Sequence, residues 1–353
     1  MNATYNFILR NTKTNESVLV EAARSRSISW VLNRAGTCEF SVNITDEKLA
    51  TINPNTRGIH ELLVYRNSRL VWAGRVWSIS DNVQGDTGEV TIVAKEILHV
   101  LSEKRFIDDV TYTSTDAGQI AWNMIDYTQS LSGGDLGITE GTIEATKNRD
   151  RTFLENEDES IGEEIIALTE VQDGFDFVIT PTLQLNTQGV FNVFVKKGKE
   201  LTDETLEYGE GTRGNITAFT RRRSLSDVGN SIKAFGDGIG NQMKISEQSD
   251  TTLISATTLL EKQVSFKSVK VQDTLDDHAL EDLRISKVEQ PVYDLTVSNK
   301  DNFLGRFDVG DSIRVMVNLG YLNVNTPMRI YAISLSVSDE GQEDITLTVS
   351  PIS

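Results

Sequence analysis

Two segments of this chain, far apart in sequence, carry the same hairpin pattern. The first is Arg75-Val76-Trp77-Ser78-Ile79-Ser80, a turn holding Asp81, Asn82, Gly85, Asp86 and Gly88, then Glu89-Val90-Thr91-Ile92-Val93-Ala94. The second is Arg329-Ile330-Tyr331-Ala332-Ile333-Ser334, a turn with Asp339, Glu340 and Gly341, then Asp344-Ile345-Thr346-Leu347-Thr348-Val349. Upstream, Cys38-Glu39-Phe40-Ser41-Val42 precedes the first much as Tyr293-Asp294-Leu295-Thr296-Val297 precedes the second. Between them a glycine introduces an apolar strand: Gly58 before Leu62-Leu63-Val64-Tyr65, and Gly310 before Ile313-Arg314-Val315-Met316-Val317. Period-two alternation is common to all half-buried strands, but here order and spacing agree as well. So long a period implies two similar β-domains separated by inserted material, not a solenoid.

Read in order, residues 1–100 hold short strands with polar turns, the pattern of a small β-barrel or sandwich. One helical turn is expected at Asp46-Glu47-Lys48-Leu49-Ala50, broken at Pro54. In the strand over residues 70–80, Leu70, Trp72 and Val76 fall on one face and Val71, Trp77 and Ile79 on the other. Both faces should be covered, one by the barrel core, the other by a helix of the same chain or by another domain or subunit.

Residues 101–204 form an α+β domain. One helix starts from a Ser114 or Thr115 cap, and a second from Ser160, with Glu163 at capping-box spacing. The strands of 205–235 are expected to join the second β-domain, and 236–291 to form a smaller lobe whose single helix is capped by Asp273 or Thr274. Residues 292–353 are the second β-domain. The fold class is mainly β with α+β insertions: two similar tube-like barrel or sandwich domains plus inserted lobes.

The 353 residues carry 52 acidic against 34 basic side chains, a formal charge of −18, which repels nucleic-acid phosphates and anionic membranes. This charge argues against a sequence-reading DNA-binding protein, and Arg221-Arg222-Arg223 is better read as a solvated strand edge or ion-pair partner than as a phosphate site. Cys38 is the single cysteine, so no intrachain disulfide forms. The start of the chain lacks the basic-then-apolar layout of a secretory leader, and no run approaches the roughly 18 apolar residues of a membrane span. Synthesis in the cytosol without membrane insertion is therefore expected.

Chemistry leaves few traces. His60, His99 and His278 are scattered, without a second ligand at helical or zinc spacing, and suit strand ends and helix surfaces. Gly209-x-Gly211-x-x-Gly214 fits a dinucleotide fingerprint literally, but Asn215-Ile216-Thr217-Ala218-Phe219 after it alternates like a strand where that motif needs a helix, so a hairpin turn explains it better. The acidic run Glu155, Glu157, Asp158, Glu159, Glu163 and Glu164 lacks the glycine and alternation of a calcium loop and matches the acidic first turn that a helix dipole favours. No nucleophile elbow or P-loop is present. Catalytic, cofactor-binding and metal-binding residues are accordingly expected to be none, and the chain is expected not to be an enzyme.

The succession of a β-domain, an α+β segment, a further lobe and a second β-domain resembles the baseplate hub, or tail-tip minor tail protein, of tailed bacteriophages. The residues that carry the resemblance are Leu70-Val71-Trp72-Ala73-Gly74-Arg75-Val76 with Ser78-Ile79, Gln119-Ile120-Ala121-Trp122, Arg149-Asp150-Arg151, Val309-Gly310-Asp311 and Ile345-Thr346-Leu347-Thr348-Val349. The resemblance implies a homotrimeric ring at the tip of the virion tail, adapting a six-fold tube to a three-fold tip. A distal tail ring protein would lie above it. A tape measure protein and spike, fibre or tip proteins would be the other partners, with DNA passing through the lumen. The competing reading is a multidomain carbohydrate-binding or adhesin-like β-protein, with Trp30, Trp72, Trp77 and Trp122 as stacking platforms.

Overall fold

The computed structural model describes residues 3–51, 59–85, 87–156, 159–182, 189–208, 214–223, 228–267, 269–287, 291–298 and 304–352. It is mainly β with α+β insertions. The first unit consists of β1 (Tyr5–Asn11), β2 (Ser17–Val20), β3 (Arg24–Val31), β4 (Thr37–Asn43), β5 (His60–Arg66), β6 (Arg69–Gln84) and β7 (Thr87–Lys95). Every second side chain of β7 (Val90, Ile92, Ala94) is buried, and Phe7, Phe40, Val64 and Trp72 meet them inside. The indole N–H of Trp72 donates to the Ser29 carbonyl at 3.2 Å, and that of Trp30 to the Val71 carbonyl at 3.1 Å. These bonds bring β3 against β6 across the interior, although β4 and β7 separate them in the sheet, so the sheet curls on itself.

The middle lobe carries α1 (Leu98–Leu101), β8 (Val110–Asp116), α2 (Ala117–Ser130), β9 (Ile138–Ile143), β10 (Asn148–Phe153), α3 (Ile161–Thr169), β11 (Asp176–Pro181) and β12 (Gly189–Phe194). Its helices bury Ile120, Met124, Ile125, Ile161 and Ile165 against Phe153, Phe177 and Phe191. The α2 cap is Asp116, which accepts from Gln119 N at 3.1 Å. This corrects the expected Ser114 or Thr115, which lie inside β8, whereas Asp116 is its last residue and borders α2. Ser160 caps α3 as expected, accepting from Glu163 N at 3.3 Å.

Next come β13 (Glu200–Tyr208) and β14 (Ile216–Arg222), then a small lobe of β15 (Ser231–Phe235), β16 (Ile245–Ser249), α4 (Thr251–Ala256), β17 (Glu261–Ser265) and α5 (Gln272–Ser286). Two expectations change here. The strand at residues 230–235 does not join the large sheet but is the middle strand of the small lobe, flanked by β16 and β17. Its apolar side chains, Ile232 and Ala234, need the Leu275, Ala279 and Leu283 stripe of α5 to cover them. Nor does α5 start from an Asp273 or Thr274 cap: its N-cap is Val271, without a side-chain bond, and both residues lie in the first turn.

The chain closes with β18 (Val292–Val297), β19 (Ser312–Leu319), β20 (Leu322–Val337) and β21 (Glu343–Pro351). The sheet order β3-β4-β7-β6-β5-β1 of the first unit returns in the second as β14-β18-β21-β20-β19-β13. The long strands β6 and β20 have 16 residues each, and β7 and β21 have 9. Each long strand carries a bulge at the same place, Trp77 in one and Tyr331 in the other. One direction differs: β1 runs antiparallel to β5, whereas β13 runs parallel to β19.

The two units are not separate cores, as the sequence suggests. The β3 strand pairs antiparallel with β20, from Val31 opposite Ala332 to Arg26 opposite Val337, and fuses them into one 13-stranded sheet over a shared core. Core-facing side chains meet across that seam, Ile28 (1 % exposed) opposite Leu335 (2 %). The outer face of β6 is partly covered by the chain itself: His99 of α1 packs edge-on against Trp77 at 4.4 Å, and β11 lies against β6.

Candidate functional site

The chemistry-bearing residues are dispersed. Among the described residues, no three His, Cys, Asp or Glu side chains gather as a metal site would require. His60 is buried in β5, and the His99 Nε2 lies 3.0 Å from Lys95 Nζ. His278 is not on a helix surface as expected. It is buried between the lobes, stacked on Phe266 at 4.1 Å, with Arg151 Nη2 donating to its Nε2 at 3.1 Å. Burial and the neighbouring Arg151 and Arg149 guanidiniums drop its pKa to about 3. Asp277 beside it ties Lys147 (2.9 Å) and Arg149 (3.0 Å) across the same junction.

Gly209 and Gly211 lie outside the described residues, and Gly214 is followed closely by strand β14, not a helix. Glu157 and Asp158 also lie outside them, while Glu163 and Glu164 occupy the first turn of α3. Trp72 is fully buried, Trp30 and Trp122 are half-buried, and Trp77 is 37 % exposed with Lys95 Nζ over its ring. No shared exposed platform is formed by the four indoles. Burial pushes the Glu96 carboxyl up to about 7. Its Oε2 accepts from Gly36 N at 2.6 Å, which holds the β3–β4 turn.

Instead, the polar groups of this chain lock the lobes together. Asp176, at the start of β11, accepts from Asn33 Nδ2 (3.0 Å) in the first unit, from Lys197 N (2.7 Å) beside β12, and from the Arg329 guanidinium of β20. Arg329 also reaches the Lys197 carbonyl at 2.9 Å and the Gly310 carbonyl at 3.2 Å. A second clamp joins Arg66 to Glu343, with Nη2 to Oε2 at 2.9 Å and the Tyr5 hydroxyl donating to the same carboxylate. Both are partly withdrawn from water, where charge-assisted bonds hold geometry well. An open groove of about 920 Å³ runs beside these clamps, between the first unit, the middle lobe and the segment before Val309, with Arg66, Arg69, Lys197 and Arg306 among its walls.

What remains open is strand edge. Among the described residues, β14 has one strand neighbour, β18, and the distal part of β6 beyond Val76 has one, β7, because β5 pairs only as far as Arg75. Such rows of backbone donors and acceptors are templates for another strand. Core-face side chains are left uncovered there: Val83 is 63 % exposed, Phe219 is only partly covered, and so is Ile79, which the bulge at Trp77 turns to the Trp72 face instead of the opposite face expected from alternation. The basic run lies on β14, with Arg221 over the Tyr321 ring and Arg222 Nη1 2.7 Å from Asp294 Oδ2. Sequence reasoning read Arg221-Arg222-Arg223 as a strand edge but did not single out the distal half of β6, since pairing depends on what the remote parts of the chain cover.

No protein-family model and no curated protein matches the chain by sequence. Solved structures do match. A tail protein from Neisseria meningitidis MC58 superposes with a TM-score of 0.65 at 13% identity, covering 98% of this chain and 96% of that one. The 43 kDa tail protein of prophage MuSo2 from Shewanella oneidensis gives 0.65 at 12% identity, covering 98% of both chains. The E. coli c3393 protein, a type VI secretion system component with structural similarity to the T4 bacteriophage tail proteins gp27 and gp5, gives 0.52 at 9% identity over 94% of this chain and 74% of its own. Along nearly its whole length, the chain therefore has the fold of phage and prophage tail proteins.

Proposed function

We propose that the chain is a structural hub at the distal end of a phage-type tail tube, in the virion, and that it works as a homotrimer. The observation that carries this reading is the repeated strand order, β3-β4-β7-β6-β5-β1 and β14-β18-β21-β20-β19-β13, joined side by side in one sheet. Two like units in fixed lateral contact are what a subunit needs to occupy two adjacent positions of a six-fold ring. Three such subunits, closing head to tail, present six similar faces to a distal tail ring above and three-fold symmetry to a spike, fibre or tip below. The formal charge of −18 suits a lumen through which DNA slides without binding. Tape measure and tip proteins are the other expected neighbours. The structural similarity of one matched protein to the T4 bacteriophage tail proteins gp27 and gp5 supports a place in a phage-type tail. The chain acts through shape and contact, and the reading assigns it no catalysis.

Light scattering across concentration and salt tests the stoichiometry. A trimer, or a monomer that trimerises with concentration, is expected; a stable dimer contradicts the reading.

A further inference from the structure

We infer that the ring closes by strand addition, β14 of one subunit pairing antiparallel with the distal half of β6 in a second copy of the chain. This rests on the trimeric reading above but goes beyond it in naming the surface and its register.

In the intramolecular seam, the distal half of β20 pairs with the outer edge of β3, the far side of β3 being bonded to β4. The bonding pattern makes β6 the counterpart of β20, and β14 the counterpart of β3. Ile28 lies opposite Cys38 as Arg221 lies opposite Tyr293, and Ile333 lies opposite Leu347 as Ile79 lies opposite Ile92. Yet among the described residues the edge that β20 gives to β3 has its equivalent in β6 unpaired, and the edge that β3 gives to β20 has its equivalent in β14 unpaired. One molecule therefore holds both halves of a second seam, on different units, unable to meet except through another copy.

Transferring the register gives Ile79 opposite Arg223, Ser80 opposite Arg222, Asp81 opposite Arg221, Asn82 opposite Thr220 and Val83 opposite Phe219. Asp81 and Arg221 take the places of Leu335 and Ile28, which face the core and meet directly. An apolar pair in the internal seam is thus replaced by a pair of opposite charge in the external one. Val83 and Phe219, uncovered at their edges, cover each other. A charge pair at this register also discriminates between the two seams, because it disfavours slippage and the pairing of like edges.

The test combines charge reversal with cross-linking in the full chain. Asp81→Arg or Arg221→Asp should each raise the concentration for half-trimerisation by about tenfold or more, and the double exchange should restore it to within about threefold. Asn82→Cys with Thr220→Cys in one chain should yield covalent trimers on mild oxidation, and neither cysteine alone should; native Cys38, at 0 % exposed, does not compete. A wild-type trimer that is indifferent to the reversals and fails to cross-link overturns this seam while leaving the hub reading standing. A chain that neither trimerises nor cross-links at any concentration overturns both.

Discussion

At the scale of single residues, several polar side chains act as joints between lobes. His278 is one of them, enclosed by Phe266 and by Arg149 and Arg151 from β10, with Asp277 as the nearby acid. Its folded pKa of about 3 lies below the unfolded value of about 6.5. The folded state therefore resists protonation: its contribution is complete above pH 6.5 and is lost as pH falls from there toward 3. At pH 5 the cost is about 2 kcal/mol. After correction for intrinsic rates, amide exchange in α5 should accelerate by about thirtyfold between pH 7 and pH 5 if that cost falls on local opening, and His278→Gln should flatten the dependence. Equal protection at the two pH values would refute the assignment. Little of this scale was legible in the sequence. The partners of Asp176 (Asn33, Lys197 and Arg329) are remote along the chain, and His278 sits in a helix whose sequence alone does not show that β10 packs over it.

At the scale of elements, much more was legible, because alternation and capping are local. The hairpins pair as their repeated residues suggest, even to a bulge at Trp77 and its counterpart Tyr331, respectively 37 % and 41 % exposed. The misplaced helix start has a local cause. Ser114 adopts φ 47° and its N–H donates to Asp150 Oδ1 at 2.6 Å, which keeps it in β8 and hands the cap to Asp116. Within the hairpin, Gly74 is the point of closest approach: a Cβ there would run into the Lys95 carbonyl oxygen and lie 2.5 Å from the Trp72 ring. Gly74→Ala should destabilise the fold by about 2–3 kcal/mol, since the neighbours are backbone and a buried ring with nowhere to move. A denaturation midpoint unchanged from wild type would contradict this account of the hairpin.

At the scale of the whole molecule, the sequence pointed to two β-units, and the structure shows why their union was hidden. The strands that fuse them meet through Ser27, Ser29, Ser334 and Ser336 alternating with core residues, a pattern any half-exposed strand shares. The same union gives the account its central claim, that one chain fills two neighbouring places in a ring and leaves matching edges for the next chain. Electron microscopy of the purified protein at trimerising concentration addresses this most directly. End-on averages should show a closed ring of three-fold symmetry with six near-equivalent lobes around a central opening, while two-fold particles, or rings with only three lobes, would contradict it.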